Sequence, residues 1–117
     1  MSKKIDISKL RPYIDKGIWP IVKVFNDKGI HTMFSCEGHN TKEGLIPGIP
    51  YVAIDIGVYR KVSKRINKFI ELNWNSGVST LFTNCGYDLD TLKIALITFN
   101  TKDLTLNQWA NRLQGEL

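Results

Sequence analysis

The sequence predicts an α+β domain in which two α-β-β units build one four-stranded sheet, followed by an added C-terminal helix. Three observations predict it. Apolar residues recur with a helical period over 14–25 and 59–75. Apolar runs of strand length stand at 30–36, 51–56, 78–83 and 92–99. Residues 29–35 (GIHTMFS) and 77–83 (GVSTLFT) share Gly, Thr and Phe at an offset of 48. That match has two readings, internal duplication or coincidence between strands of similar burial, and both halves need the same helix–strand–strand packing under either.

Ile14, Ile18, Ile21, Val22 and Phe25 line one face of the first helix, with Asp15 as its expected N-cap and Gly29 as its stop. Pro20 is tolerable near a first turn, although a residue before proline avoids the helical region. Ile30 to Cys36 then reads as a strand ending in a glycine corner, and residues 40–50 as a loop rich in Gly and Pro. Tyr51 to Ile56 is the second strand. Over 59–75, Val62, Ile66, Phe69 and Ile70 form the apolar stripe of the second helix. Val78–Thr83 is the third strand, Cys85-Gly86-Tyr87-Asp88 a turn, and Leu92–Phe99 the fourth strand. In the last helix Thr105 and Gln108 form a capping box, Leu104 staples onto Trp109, and Leu106, Trp109 and Leu113 face inward.

Two such units place the second and fourth strands centrally, since these are the most apolar, and leave the first and third as edges. Alternation puts Ile30, Thr32 and Phe34 under the helices, with His31, Met33 and Ser35 on the other face. Tyr51, Asp55 and Leu81 share that second face, which suits a dimer partner, the C-terminal helix or a ligand.

The whole chain, 1–117, reads as a single domain, as expected of 117 residues. Hydrophobic residues at 43% and charged residues at 23% exclude disorder, and no apolar run approaches a membrane span. Two cysteines and an N-terminus without an apolar signal core predict a reducing, cytoplasmic setting. A net charge of +5 admits a polyanionic partner.

The densest polar cluster is Ser35-Cys36-Glu37-Gly38-His39-Asn40, which with Thr32 forms the candidate ligand site. Its glycine permits a turn whose N–H groups converge on an anion or carbonyl. The plain structural alternative is a solvated turn at a strand end. The segment IVKVFNDKGIHTMFSCEGHN resembles short phage and mobile-element proteins that carry an SC-x-GH motif. It is also distantly similar to the wybutosine-synthesis tRNA methyltransferase family, whose signature reads T-x-SSC-S-GR. Thr32, Ser35, Cys36 and Gly38 match that signature, whereas Phe34 stands for its first serine and His39 for its arginine. This second resemblance implies S-adenosylmethionine and a modified tRNA guanosine as the family's cofactor and substrate.

Other chemistries compete for the same residues. His31, Cys36, His39 and Cys85 are zinc-ligand types, and Cys36-x-x-His39 is acceptable spacing. A pseudo-twofold sheet opposes the full set, because its antiparallel edges, about 14 Å apart across three strand gaps, put Cys36 and Cys85 at opposite ends; no metal site is therefore expected. Cys36 as a nucleophile with His39 as base lacks an orienting third group, and Glu37 with His39 is an alternative acid–base pair. Arg60, Lys61, Lys64, Arg65 and Lys68 form a basic helical ridge suited to phosphates, or simply a solvated face. Trp19, Trp74 and Trp109 read as core or interface residues. The sequence thus predicts a small, dimeric binding protein for a nucleotide or nucleic-acid fragment, with no cofactor identified. Rival readings are a reduced methyltransferase or Cys-dependent enzyme, and an inhibitor of a host factor.

Overall fold

A computed structural model describes residues 14–38, 48–84 and 93–117. In chain order its elements are α1 (Trp19–Asp27), β1 (Phe34–Cys36), β2 (Tyr51–Asp55), α2 (Ile56–Asn73), a 3-10 turn (Trp74–Ser76), β3 (Val78–Thr83), β4 (Ile94–Phe99) and α3 (Leu106–Glu116). The sheet order is β1-β2-β4-β3 and every neighbouring pair is antiparallel. The mixed α+β architecture expected from the sequence is therefore present, with β2 and β4 central. All six residues of β4 and the first four of β2 are buried, in keeping with their central positions.

The three helices lie on one face of this sheet. Ile21, Val22 and Phe25 of α1, Ile66 and Phe69 of α2, and Trp109 and Leu113 of α3 share one core with Val52, Ile54, Ala95, Ile97 and Phe99. The C-terminal helix thus joins the helical layer and does not cover the opposite face. There Cys36, Tyr51, Ala53, Ile94 and Leu96 form a second, smaller cluster with Phe34 against it. Tyr51, Asp55 and Leu81 belong to that face, as alternation predicted, because they align with Thr98, Ile94 and Leu96.

Alternation fails in the first strand. Only Phe34–Cys36 pairs, and Phe34 lies opposite Ala53, on the face away from the helices. Ser35, opposite Val52, takes the helical side instead. The reason is local: the Met33 N–H also donates to Ala53, at 2.8 Å, so two consecutive residues meet one partner as at a β-bulge. Ile30 stays in the helical core, and the extra residue reverses the faces beyond it. Phe82, the counterpart of Phe34 in the repeated segment, remains under the helices and meets the Tyr59 ring edge-on at 5.2 Å. The repeat keeps its glycines, Gly29 and Gly77, both at positive φ, but not its strand phase.

Two helix starts also differ from expectation. The N-cap of α1 is Ile18 with no side-chain cap, because Asp15 is bonded elsewhere. Helix α2 begins at Ile56, directly from β2, where the Asp55 carboxylate accepts the Gly57 N–H at 2.8 Å. The helix therefore starts three residues before the expected 59, with Asp55 as its cap. In α3 the capping box forms as predicted, with Gln108 N–H to Thr105 Oγ1 at 3.1 Å and Thr105 N–H to Gln108 Oε1 at 2.8 Å. No described helix is long and apolar enough to cross a membrane.

Trp109 ranks among the largest fully buried side chains, and its Nε1–H donates to the Asn100 carbonyl at 2.8 Å. Trp109→Ala opens a large cavity and strands that carbonyl, so urea unfolding should show a loss of about 3–5 kcal/mol. Thr105→Ala removes only a cap and should cost about 1 kcal/mol. Equal losses would contradict the packing described.

Candidate functional site

The corner after β1 is tied down by its own neighbours. Glu37 N–H donates to Asp15 Oδ2 at 3.2 Å, while Glu37 Oε2 accepts the Gly17 N–H at 2.7 Å. Each acidic side chain thus serves a backbone N–H across the same junction, between the end of β1 and the turn that leads into α1. A Cβ at Gly17 would meet the Glu37 carboxylate, so a side chain there would have to push that carboxylate from its present place. Gly38 turns the chain at φ +97 and fits closely over Pro50; its N–H points to Cys36 Sγ at 3.4 Å.

These contacts change the expected role of the corner. The Glu37 and Gly38 N–H groups have partners within the chain, so they do not form an open anion cradle. Cys36 is a free thiol, 6% exposed and held in an apolar cluster, which leaves its sulfur little access to a substrate. Thr32 accepts from Asn26 Nδ2 at 3.1 Å, near the C-terminal end of α1, whereas Glu37 binds near the start of that helix. A nine-residue helix spans about 13 Å, so Thr32 and Glu37 do not share a site. His39 and Asn40, together with Cys85 and the turn that follows it, lie outside the described residues. Among the described residues, no three His, Cys, Asp or Glu side chains gather to hold a metal.

The basic ridge is only partly free. Arg60, Lys61, Lys64 and Lys68 are exposed along α2. Arg65 is half-buried and donates from Nη2 to the Lys28 carbonyl at 3.3 Å, tying α2 to the end of α1. It therefore belongs with the structural contacts.

A better-formed recess opens at the same end of the sheet. Gly48, Ile49, Pro50, Trp74, Gly77–Ser79 and Thr98–Thr101 enclose a cleft of about 440 Å³. Trp74 stands at its lip, 66% exposed, where α2 tightens into the 3-10 turn. Gly77 ends that turn at φ +93 and presses on Asn100, so no other residue fits without displacing the wall. Ser79 and Thr98 hydroxyls meet at 2.7 Å on the cleft floor. A second, wider groove of about 730 Å³ runs between Lys16, Gly17, Glu37 and the start of α3.

Trp74, which reads from the sequence as a core or interface residue, lies outside the core. The signal against this was present: Asn73-Trp74-Asn75-Ser76-Gly77 surrounds it with polar residues and a glycine stop. Comparisons with protein-family models, with curated proteins and with solved structures find no match for this chain.

If Glu37 serves as a strut, Glu37→Ala leaves the Gly17 N–H without its acceptor and should lower stability by about 1–3 kcal/mol in urea unfolding. Glu37→Gln keeps an acceptor and should recover much of that loss. An alanine variant as stable as the parent would return Glu37 to the list of ligand-binding groups.

Proposed function

We propose that the protein binds a nucleotide or a short single-stranded nucleic-acid fragment, with a base stacked on Trp74 at the cleft lip. The observation that carries this reading is an exposed indole beside a recess with polar groups on its floor, in the turn directly after the helix that bears the basic ridge. Base–aromatic stacking is sequence-tolerant, and positive charge along the approach attracts phosphates. Lys61, Lys64 and Lys68 recur at helical spacing on α2 and supply that attraction. Ser79, Thr98 and Asn100 offer hydroxyl and amide groups to a base or sugar.

We read the domain as a self-associating protein of the cytoplasm. A free cysteine favours a reducing setting, and exposed Leu81 and Phe82 favour a partner. Methyl transfer and Cys-dependent catalysis gain no support from a buried Cys36 whose flanking N–H groups are already bonded.

Titration of labelled oligo(U), oligo(dT) and mononucleotides by fluorescence anisotropy tests the reading. Trp74→Ala should weaken binding roughly 5- to 150-fold, matching about 1–3 kcal/mol of lost stacking. Replacing Lys61, Lys64 and Lys68 with Glu should reduce affinity and flatten its dependence on salt. Absence of binding by the parent protein, or an alanine variant that binds equally well, would sink the proposal.

A further inference from the structure

The two edges of the sheet are unequally protected. On one side β1 is three residues long, and the next outward N–H, that of Glu37, is taken by Asp15. On the other side β3 runs for six residues, VSTLFT, with no charge, proline or glycine to deter pairing. Its exposed side chains are largely apolar toward the far end, with Leu81 at 47% and Phe82 at 44%.

The backbone of β3 can be sorted by direction. Asn100 N–H donates to the Gly77 carbonyl at 2.8 Å and Lys93 N–H to the Thr83 carbonyl at 3.2 Å, so residues 77 and 83 point inward. By alternation residues 79 and 81 do the same, which leaves Val78, Thr80 and Phe82 directing their N–H and C=O groups outward. Among the described residues, no strand pairs with them.

We infer that β3 is a homodimer interface, pairing antiparallel with β3 of a second copy about a twofold axis at Thr80. This register sets Thr80 against its own copy and Val78 against Phe82, so every outward group on both strands finds a partner. Shifting it by one pairing step in either direction leaves outward groups unpaired. At the axis the outward Thr80 N–H and C=O of each copy meet those of the other. On the other face Leu81 meets the partner's Ser79. The result is a continuous eight-stranded sheet with all helices on one side. The inference rests on the self-association proposed above and names its surface.

Cysteine pairing reads the register. With the axis at Thr80, Ser79→Cys and Leu81→Cys chains should cross-link on mixing and oxidation, and little when oxidised alone. An axis at residue 79 would instead cross-link the Ser79→Cys chain with itself, and one at residue 81 the Leu81→Cys chain. Unsubstituted protein controls for disulfides through its own thiols. Sedimentation velocity over a concentration series should show dimers for the parent and monomers for Thr80→Pro, which loses an outward N–H without touching the ladder to β4. A parent that stays monomeric overturns both the edge and the self-association reading. A parent dimer without the mixed cross-link, or one that persists in folded Thr80→Pro, overturns the edge alone.

Discussion

One hydrogen bond reaching out of the core organises the end of the sheet where the cleft opens. Trp109 Nε1–H holds the Asn100 carbonyl, Asn100 N–H holds the Gly77 carbonyl, and Gly77 N–H closes on the Trp74 carbonyl. A side chain in the middle of the core thus fixes, through three successive donors, the backbone that carries an exposed indole. Trp109 itself is gripped by Phe99 at 5.6 Å and Phe69 at 6.2 Å between ring centroids, so it cannot shift without disturbing both β4 and α2. Interiors packed at crystal-like density transmit such constraints. The cleft is for this reason a property of the core.

Polar groups inside the helical layer serve the same end. Asn73, buried at the end of α2, donates to the Phe69 carbonyl and to Glu116 Oε1, each at 2.9 Å, and accepts from Arg112 at 2.8 Å. This network locks the last turn of α2 to α3 just before the chain tightens at Trp74. Asn26 does a related task at the end of α1, bonding the Val22 carbonyl at 2.8 Å and Thr32. Both asparagines stop a helix by engaging its own backbone, the property that makes this residue a poor helix former and a good terminator. Asn73, with both amide atoms bonded, costs little and discriminates strongly against other packings, whereas Asn26 keeps its Oδ1 buried without a partner.

Much of the fold was legible because it follows from periodicity. The strand order emerged from the greater apolarity of YVAID and IALITF, and the α3 capping box from Thr105 and Gln108 alone. What escaped were features set by contacts distant in sequence. A bulge opposite Ala53 reversed the faces of β1, and no local pattern announces such an insertion. Asp15 looks like a cap from its neighbours, but its carboxylate serves residue 37, far along the chain. Glu37, Gly38 and Cys36 drew attention as a polar cluster around glycine. Their partners, Gly17, Pro50 and the second cluster, show that the cluster builds a junction first. The cleft residues gave a weaker signal, because Gly48–Pro50, Gly77–Ser79 and Thr98–Thr101 come from three separate segments.

The proposed ligand and the proposed interface are geometrically compatible. Gly77, which positions Trp74, lies three residues before the twofold axis placed at Thr80, or about 10 Å along an antiparallel strand. The copy related by that axis carries its own Gly77 an equal distance the other way. Two stacking sites would then stand about 20 Å apart, at opposite ends of the β3 pair. Mononucleotides would fill them independently, whereas one strand long enough to reach both would gain from effective concentration. Length dependence of oligonucleotide affinity, present in the dimer and absent from a monomeric Thr80→Pro variant, is therefore the physical link between the exposed indole and the β3 edge.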